Sequence, residues 1–247
     1  MKPSFFFKKN FIAGRIFLGM AFSFISIHSN AQKSGVMNRP KYDHEKIHFG
    51  FILGFNISDF NFHLQPDFRI RDSIYTIESE PIAGLNLGIL ANLRIGEHFD
   101  LRFIPSLSFA QRNLNYYFIY SDSASGKITK NIESNYLEFP LELKFKSKRL
   151  TNYRIYVLAG FRYSIDMISQ AKVEEKEKDK NIVKLKRYDY GYEIGLGFDF
   201  YMPYFKFSPE IKMYHGLNDL LVQDNKLFTK PLESLFSKVF NLSFTFE

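Results

Sequence analysis

The chain has no cysteine and no tryptophan. Without cysteine there is neither a disulfide framework nor a lipid-modified N-terminal cysteine, so a lipoprotein anchor is excluded. No stretch after residue 31 runs to ~18 consecutive apolar residues, which argues against a bundle of membrane-spanning helices. The Walker loop, the dinucleotide-binding glycine fingerprint and G-x-S-x-G are also missing, and with them common signatures of nucleotide and acyl-transfer chemistry. A strong excess of one charge is lacking too. The 247 residues hold 33 Lys/Arg and 26 Asp/Glu, net +7. Four of those cations, Lys2, Lys8, Lys9 and Arg15, lie in the first 31 residues, which hold no Asp or Glu. The remainder carries 29 against 26, only +3, so nucleic acid is not an expected partner.

The N-terminus has a basic start, an apolar stretch from Ile16 to Ile27 and Ser29-Asn30-Ala31 before Gln32. This reads as a secretory signal peptide over 1–31, since the apolar stretch is too short to span a bilayer. Residues 32–47 then form a periplasmic N-terminal segment, and 48–247 one domain.

That domain alternates apolar and other residues one for one. From Ala83 to Ile95 the odd positions are all apolar, while Gly84, Asn86, Gly88, Asn92 and Arg94 lie between them. From Leu137 to Lys146, Leu137, Phe139, Leu141, Leu143 and Phe145 oppose Glu138, Glu142, Lys144 and Lys146. A period of two means extended strand, because successive side chains leave opposite faces of the pleat. One apolar face and one charged face suit a sheet between lipid and water. The expected fold is all-β, an eight-stranded antiparallel transmembrane β-barrel. Its strands are expected at His48–Asn56, Ile82–Ile95, Phe99–Arg112, Asn135–Lys146, Arg154–Asp166, Tyr188–Phe200, Phe205–Tyr214 and Val239–Glu247. Links alternate: short at 96–98, 147–153 and 201–204, long at 57–81, 113–134, 167–187 and 215–238. Short turns are periplasmic and long loops extracellular in such barrels, which places both termini in the periplasm. Pro231 to Lys238 reads as a short amphipathic helix on the outside.

The inward positions collect charge of both signs: Arg94, Arg102, Glu138, Glu142, Lys144, Arg154, Arg162, Asp166, Asp189, Glu193, Asp199, Glu210 and Lys212. Gly84, Gly88, Gly160, Gly191, Gly195 and Gly197 share this face. Eight strands leave room only for their own side chains, so a packed network of paired charges is expected rather than a pore. Tyr116, Tyr117, Tyr120, Tyr188, Tyr190, Tyr201 and Tyr204 near strand ends are expected to form interfacial girdles.

His44-Glu45-Lys46-Ile47-His48 matches the H-E-x-x-H zinc signature. That chemistry needs a helix, and this stretch runs straight into a strand, so no metal is assigned. His63 and His215 fall near the outer end, with Asp219 close to His215, but no spacing rule makes a dyad. No catalytic residue, cofactor or small-molecule substrate is expected.

Particular strings carry a resemblance: Leu101-Arg102-Phe103-Ile104-Pro105, Ile132-Glu133-Ser134 leading through Tyr136-Leu137-Glu138-Phe139-Pro140-Leu141, and Lys144 to Arg149. Tyr192 to Tyr201 and Phe205-Lys206-Phe207-Ser208-Pro209-Glu210 complete them. Together they resemble the PorT family of Bacteroidetes outer-membrane proteins, called SprT in gliding flavobacteria. The resemblance implies a non-enzymatic role in type IX secretion of cargo with C-terminal sorting domains, and in gliding in some members. The implied partners are outer-membrane lipid and other secretion components. A general adhesion or surface-binding barrel, or a barrel-borne hydrolase, are the alternatives.

Overall fold

The computed structural model describes residues 36–66, 74–121, 124–168, 183–224 and 226–247. The segment read as a signal peptide, and most of the charged stretch Lys172 to Arg187, lie outside the described residues. Residues Asn38–Glu247 form one compact unit. It opens with a 3-10 turn at Tyr42–His44. Nine strands follow: β1 Ile47–Leu64, β2 Ile74–Arg94, β3 Phe99–Phe103, β4 Ser106–Ser121, β5 Ala124–Lys146, β6 Tyr153–Asp166, β7 Tyr188–Tyr201, β8 Lys206–Gly216 and β9 Leu232–Phe246. All pair antiparallel, and β1 pairs with both β2 and β9, which closes the sheet into a barrel.

The count is nine rather than eight because one wall position is interrupted. β3 and β4 both lie between β2 and β5. Pro105 separates them: it has no N–H to give the ladder, so regular pairing breaks there. Local bonds bridge the gap. Ile89 N–H donates to the Pro105 carbonyl at 3.0 Å, and Ile104 N–H to the Pro140 carbonyl at 3.2 Å.

The outward face of the wall is apolar. On β1, Phe49, Phe51, Leu53, Phe55 and Ile57 are 42–72 % exposed, and every other strand shows the same outward row. A soluble protein does not leave so many large apolar side chains uncovered in one continuous band. Phe49 to Ile57 spans about 26 Å of strand, enough for the hydrocarbon layer when tilted. Among the described residues no helix is long and apolar enough to cross a membrane.

Past this belt the polarity of the two faces inverts. Beyond Ser58 the outward residues of β1 are Asp59, Asn61 and His63, and the inward ones Phe60, Phe62 and Leu64. The strands therefore do not stop where the apolar outward row stops. β1 runs to Leu64, β2 starts at Ile74, and the β4–β5 hairpin continues to Ser121 and Ala124. Two stretches expected as long loops, 57–81 and 113–134, are thus mostly strand. Pro231–Lys238 is also strand from Leu232 onward, not helix. Phe60, Ile77, Leu114, Tyr116, Leu220, Phe228 and Leu235 belong to a buried apolar cluster at this end. Period two persists, but with water outside and oil inside, as in a soluble sheet.

Inward glycines make room for large neighbours on the flanking strands. Tyr156, Gly197 and Glu210 form one cross-strand row, and the Tyr156 hydroxyl reaches over Gly197 to donate to Glu210 Oε1 at 2.7 Å. A Cβ on Gly197 collides with the Tyr156 ring and hydroxyl. Gly197→Val is therefore expected to lower stability by roughly 1–3 kcal/mol, read as a lower urea midpoint for the barrel in detergent, with Gly197→Ala falling between it and the parent.

Candidate functional site

The inward positions build the candidate site, a column of charge enclosed by the wall. Alternation puts Asp100, Arg102, Glu138, Glu142, Lys144, Lys146, Arg154, Arg162, Glu193, Asp199, Glu210 and Lys212 inside, all buried. Such groups persist in a low-dielectric interior only when paired. Arg102 Nη1 lies 2.8 Å from Glu210 Oε1 and 3.5 Å from Glu142 Oε2. Lys212 Nζ binds Glu142 Oε1 at 2.6 Å. Arg162 faces Glu138 at 3.3 Å and stacks over Tyr214, 3.4 Å from the ring centre. Lys144 donates to both Asp199 oxygens at 2.8 and 3.0 Å, over the Tyr156 ring. Lys146 pairs with Asp100. Glu193 meets Glu142 across Gly160, which lies between them in one row. Asn56, Asn86, Ser108 and Asn241 form a neutral amide network beside these pairs. The free space left next to Glu138, Arg162, Glu193 and Lys212 is about 20 Å³, room for roughly one water.

Some expected members sit elsewhere. Arg94 is only half-buried at the β2–β3 turn, where its Nε donates to the Gly96 carbonyl at 3.2 Å. Asp166 and Asp189 are buried but face no cation within ion-pair distance among the described residues. Asp166 accepts from Ile168 N–H at 3.0 Å. Arg112, Lys206, Asp100 and Lys146 join the buried set. Each has inward parity on its strand, so the count of two extended by one step reaches them.

The short-turn end is closed by residues 38–46. Asn38 N–H donates to Asn152 Oδ1 at 2.8 Å and its Nδ2 to the Tyr201 carbonyl at 2.9 Å. Tyr42 is buried, stacks on His48 at 3.8 Å, and donates to Glu247 Oε2 at 2.7 Å. Glu247 also pairs with Lys206 at 2.7 Å. Asp43 receives Arg154 and, at 3.2 Å, Arg149, whose guanidinium lies 3.5 Å from the centre of the Tyr201 ring. Burial pushes the Tyr42 hydroxyl far above its usual range, and the Glu247 carboxylate adds to this. Burial works to raise Asp43, but Arg154 and Arg149 outweigh it and hold that carboxyl below its usual value. None of this was legible from alternation, because Asp43 and Arg149 stand outside the strands.

The remaining candidates do not converge. His44 to His48 passes from a 3-10 turn into β1, and His48 Nε2 faces the Tyr42 carbonyl at 3.1 Å. No group of three metal-ligating side chains occurs among the described residues. His63 is near Ser234 Oγ at 3.2 Å. His215 lies on the outer wall against Tyr192, while Asp219 accepts the N–H groups of Leu221 and Leu235. Of the tyrosines expected in girdles, Tyr188, Tyr190 and Tyr204 are exposed, but Tyr116 and Tyr201 are buried. Tyr201 follows outward Phe200, so parity turns it in.

A closed antiparallel wall with a lipid-facing apolar belt and an ionic interior defines an integral β-barrel protein of the outer membrane. The chain belongs to the family of outer membrane protein beta-barrel domains, whose model matches residues 30–222. Among solved structures, Neisserial surface protein A is similar at 9 % identity over 81 % of this chain and 98 % of its own, with TM-score 0.42. OprG from Pseudomonas aeruginosa is similar at 13 % identity over 86 % and 98 %, TM-score 0.40. Ail of Yersinia pestis is similar at 14 % identity over 82 % and 98 %, TM-score 0.33. A comparison with curated proteins finds no match.

Removing one member of the central pairs strands its partner. Lys212→Met is expected to cost about 3–5 kcal/mol, and the double change with Glu142→Leu to recover most of that, read from urea midpoints. Asp43→Asn is expected to loosen residues 38–46, seen as faster tryptic cleavage after Lys41 and Lys46 at neutral pH. Because the folded Asp43 value is depressed, its contribution is present above about pH 4 and fades as pH falls further, so residues 38–46 of the parent loosen only in that acid window, read there by peptic rather than tryptic cleavage.

Proposed function

We propose that the protein is a non-enzymatic outer-membrane component of type IX protein secretion that works through its surfaces and not through its lumen. The observation that carries this is the filled interior: paired charges occupy the barrel, an apolar cluster lies at one end and residues 38–46 close the other. A cargo protein has no path through such a wall. The likeness of Leu101–Pro105, Tyr136–Leu141 and Tyr192–Tyr201 to PorT and SprT sequences supplies the secretion assignment. In this reading residues 1–31 are removed as a signal peptide, residues 32–47 and the short turns face the periplasm, and the long hairpins stand outside the cell. The periplasmic face with residues 38–46 and the Ser147–Leu150 turn is then the side that meets other secretion components.

A second reading, a surface-binding or adhesion barrel, is favoured by one observation. The β1–β2 and β4–β5 hairpins rise past the belt around an apolar core that they share with Val183, Leu185, Leu220, Leu221, Phe228, Leu232 and Leu235. Deleting the gene separates the two. A secretion component leaves cargo with C-terminal sorting domains trapped in the periplasm, and restored export requires the gene back. An adhesion barrel leaves export normal and abolishes surface binding. Orientation is read separately: Lys127→Cys is expected to label with an impermeant maleimide on whole cells, and Lys148→Cys only after the outer membrane is opened. The opposite pattern rejects the assigned sidedness.

A further inference from the structure

From the short-turn end up to one particular row, the outward positions of β7, β8, β9 and β1 hold only apolar or aromatic side chains. The row that ends this run is Tyr192, His215, Lys238 and Asp59, four successive cross-strand partners. Directly below it lies Ile194, Met213, Phe240 and Ile57, all 44–48 % exposed except Met213 at 41 %. Above it, Phe236 follows outward on β9 and exposed Leu217 lies just past the end of β8. Lys238 and His215 are therefore set into an apolar wall at the level where lipid tails give way to headgroups.

Neither cation has an acidic partner at contact distance among the described residues. Lys238 has no carboxylate within ion-pair distance among the described residues, and His215 meets only the Tyr192 ring, 5.6 Å between centres. Asp59, next in the row, is engaged elsewhere: it accepts from Phe60 N–H at 2.8 Å and from the Ser79 hydroxyl. Past β1 the lip has the opposite sign, with exposed Glu78 and Glu80 on the adjoining β2 and exposed Glu133 further round on β5. A lone ammonium in a lipid-facing wall calls for an anion at headgroup depth.

We propose that Lys238 and His215, flanked by Tyr192, form a site for the phosphate of a phosphorylated lipid headgroup, with the acyl chains lying along Ile194, Met213 and Phe240. The Lys238 ammonium supplies the charge and an imidazole N–H of His215 a second donor. Tyr192 offers a ring face and a hydroxyl at the depth where tyrosine partitions in bilayers. The acidic flank on β2 and β5 repels the same headgroup, so lipid is bound on one side of the barrel only.

The inference rests on the outer-membrane reading with the long hairpins outside. The full chain is refolded from denaturant into nonionic detergent, and lipid A carrying both phosphates is titrated in and counted by native mass spectrometry. The parent retains bound lipid. Lys238→Ala lowers occupancy roughly five-fold, and adding His215→Ala lowers it further. Lys238→Arg retains it, Glu80→Gln does not lower it, and lipid A stripped of phosphate binds the parent no better than the double variant binds intact lipid A. Equal occupancy in parent and double variant, or equal binding of the phosphate-free lipid, overturns the site. Unboiled gel mobility is read on every sample. A folded barrel that ignores the phosphates rejects the site alone, whereas a parent chain that never folds in detergent rejects the membrane reading with it.

Discussion

The constraint on which the rest depends is the enclosure of a charged interior by lipid. A membrane strand must turn apolar side chains outward, so its polar ones have nowhere to go but in. Inside, free space is scarce and most of the buried ions have a counter-ion at contact distance. Arg102, Glu142, Lys212 and Glu210 satisfy one another from three strands, β3, β5 and β8, and Lys144 and Asp199 from two, β5 and β7. The wall cannot slip by one residue, since a slip exposes every one of these pairs to lipid. Charge pairing and strand register are the same constraint seen from two sides.

Glycine is what lets that constraint be met in so narrow a barrel. Gly197 and Gly160 each lie between two large inward side chains, Tyr156 with Glu210 and Glu142 with Glu193. The bulk missing at the glycine is the bulk present beside it. The lumen is filled along the belt, so the rims, the hairpins beyond the belt and the lipid-facing wall are the surfaces left open to other molecules.

The inversion of polarity past Ser58 explains what the alternation by itself left unread. A search for apolar outward rows ends each strand at the belt edge, where Asp59 and Glu80 appear. The ladder continues with the same period and the opposite sense, carrying Phe60, Phe62, Leu114 and Tyr116 inward. Period two marks a strand whichever face is oily, and a strand's end is set by its hydrogen-bond partners, not by its hydropathy. The strand expected unbroken from Phe99 to Arg112 is interrupted at Ile104-Pro105. What was not visible is that neighbouring strands hold both fragments in one wall position.

By itself, the amino-acid order determined the all-β class, the apolar belt, the inward face for nearly every buried ion, and the short turns. All of these follow from side-chain parity along a single strand, a local property. Only the tertiary structure decided which cation meets which carboxylate, that Asp43 and Arg149 come from outside the strands to close one end with Tyr42 and Glu247, and that Tyr192, His215 and Lys238 stand side by side. Those depend on register between strands distant in sequence, and parity says which way a side chain points without saying what it will find there.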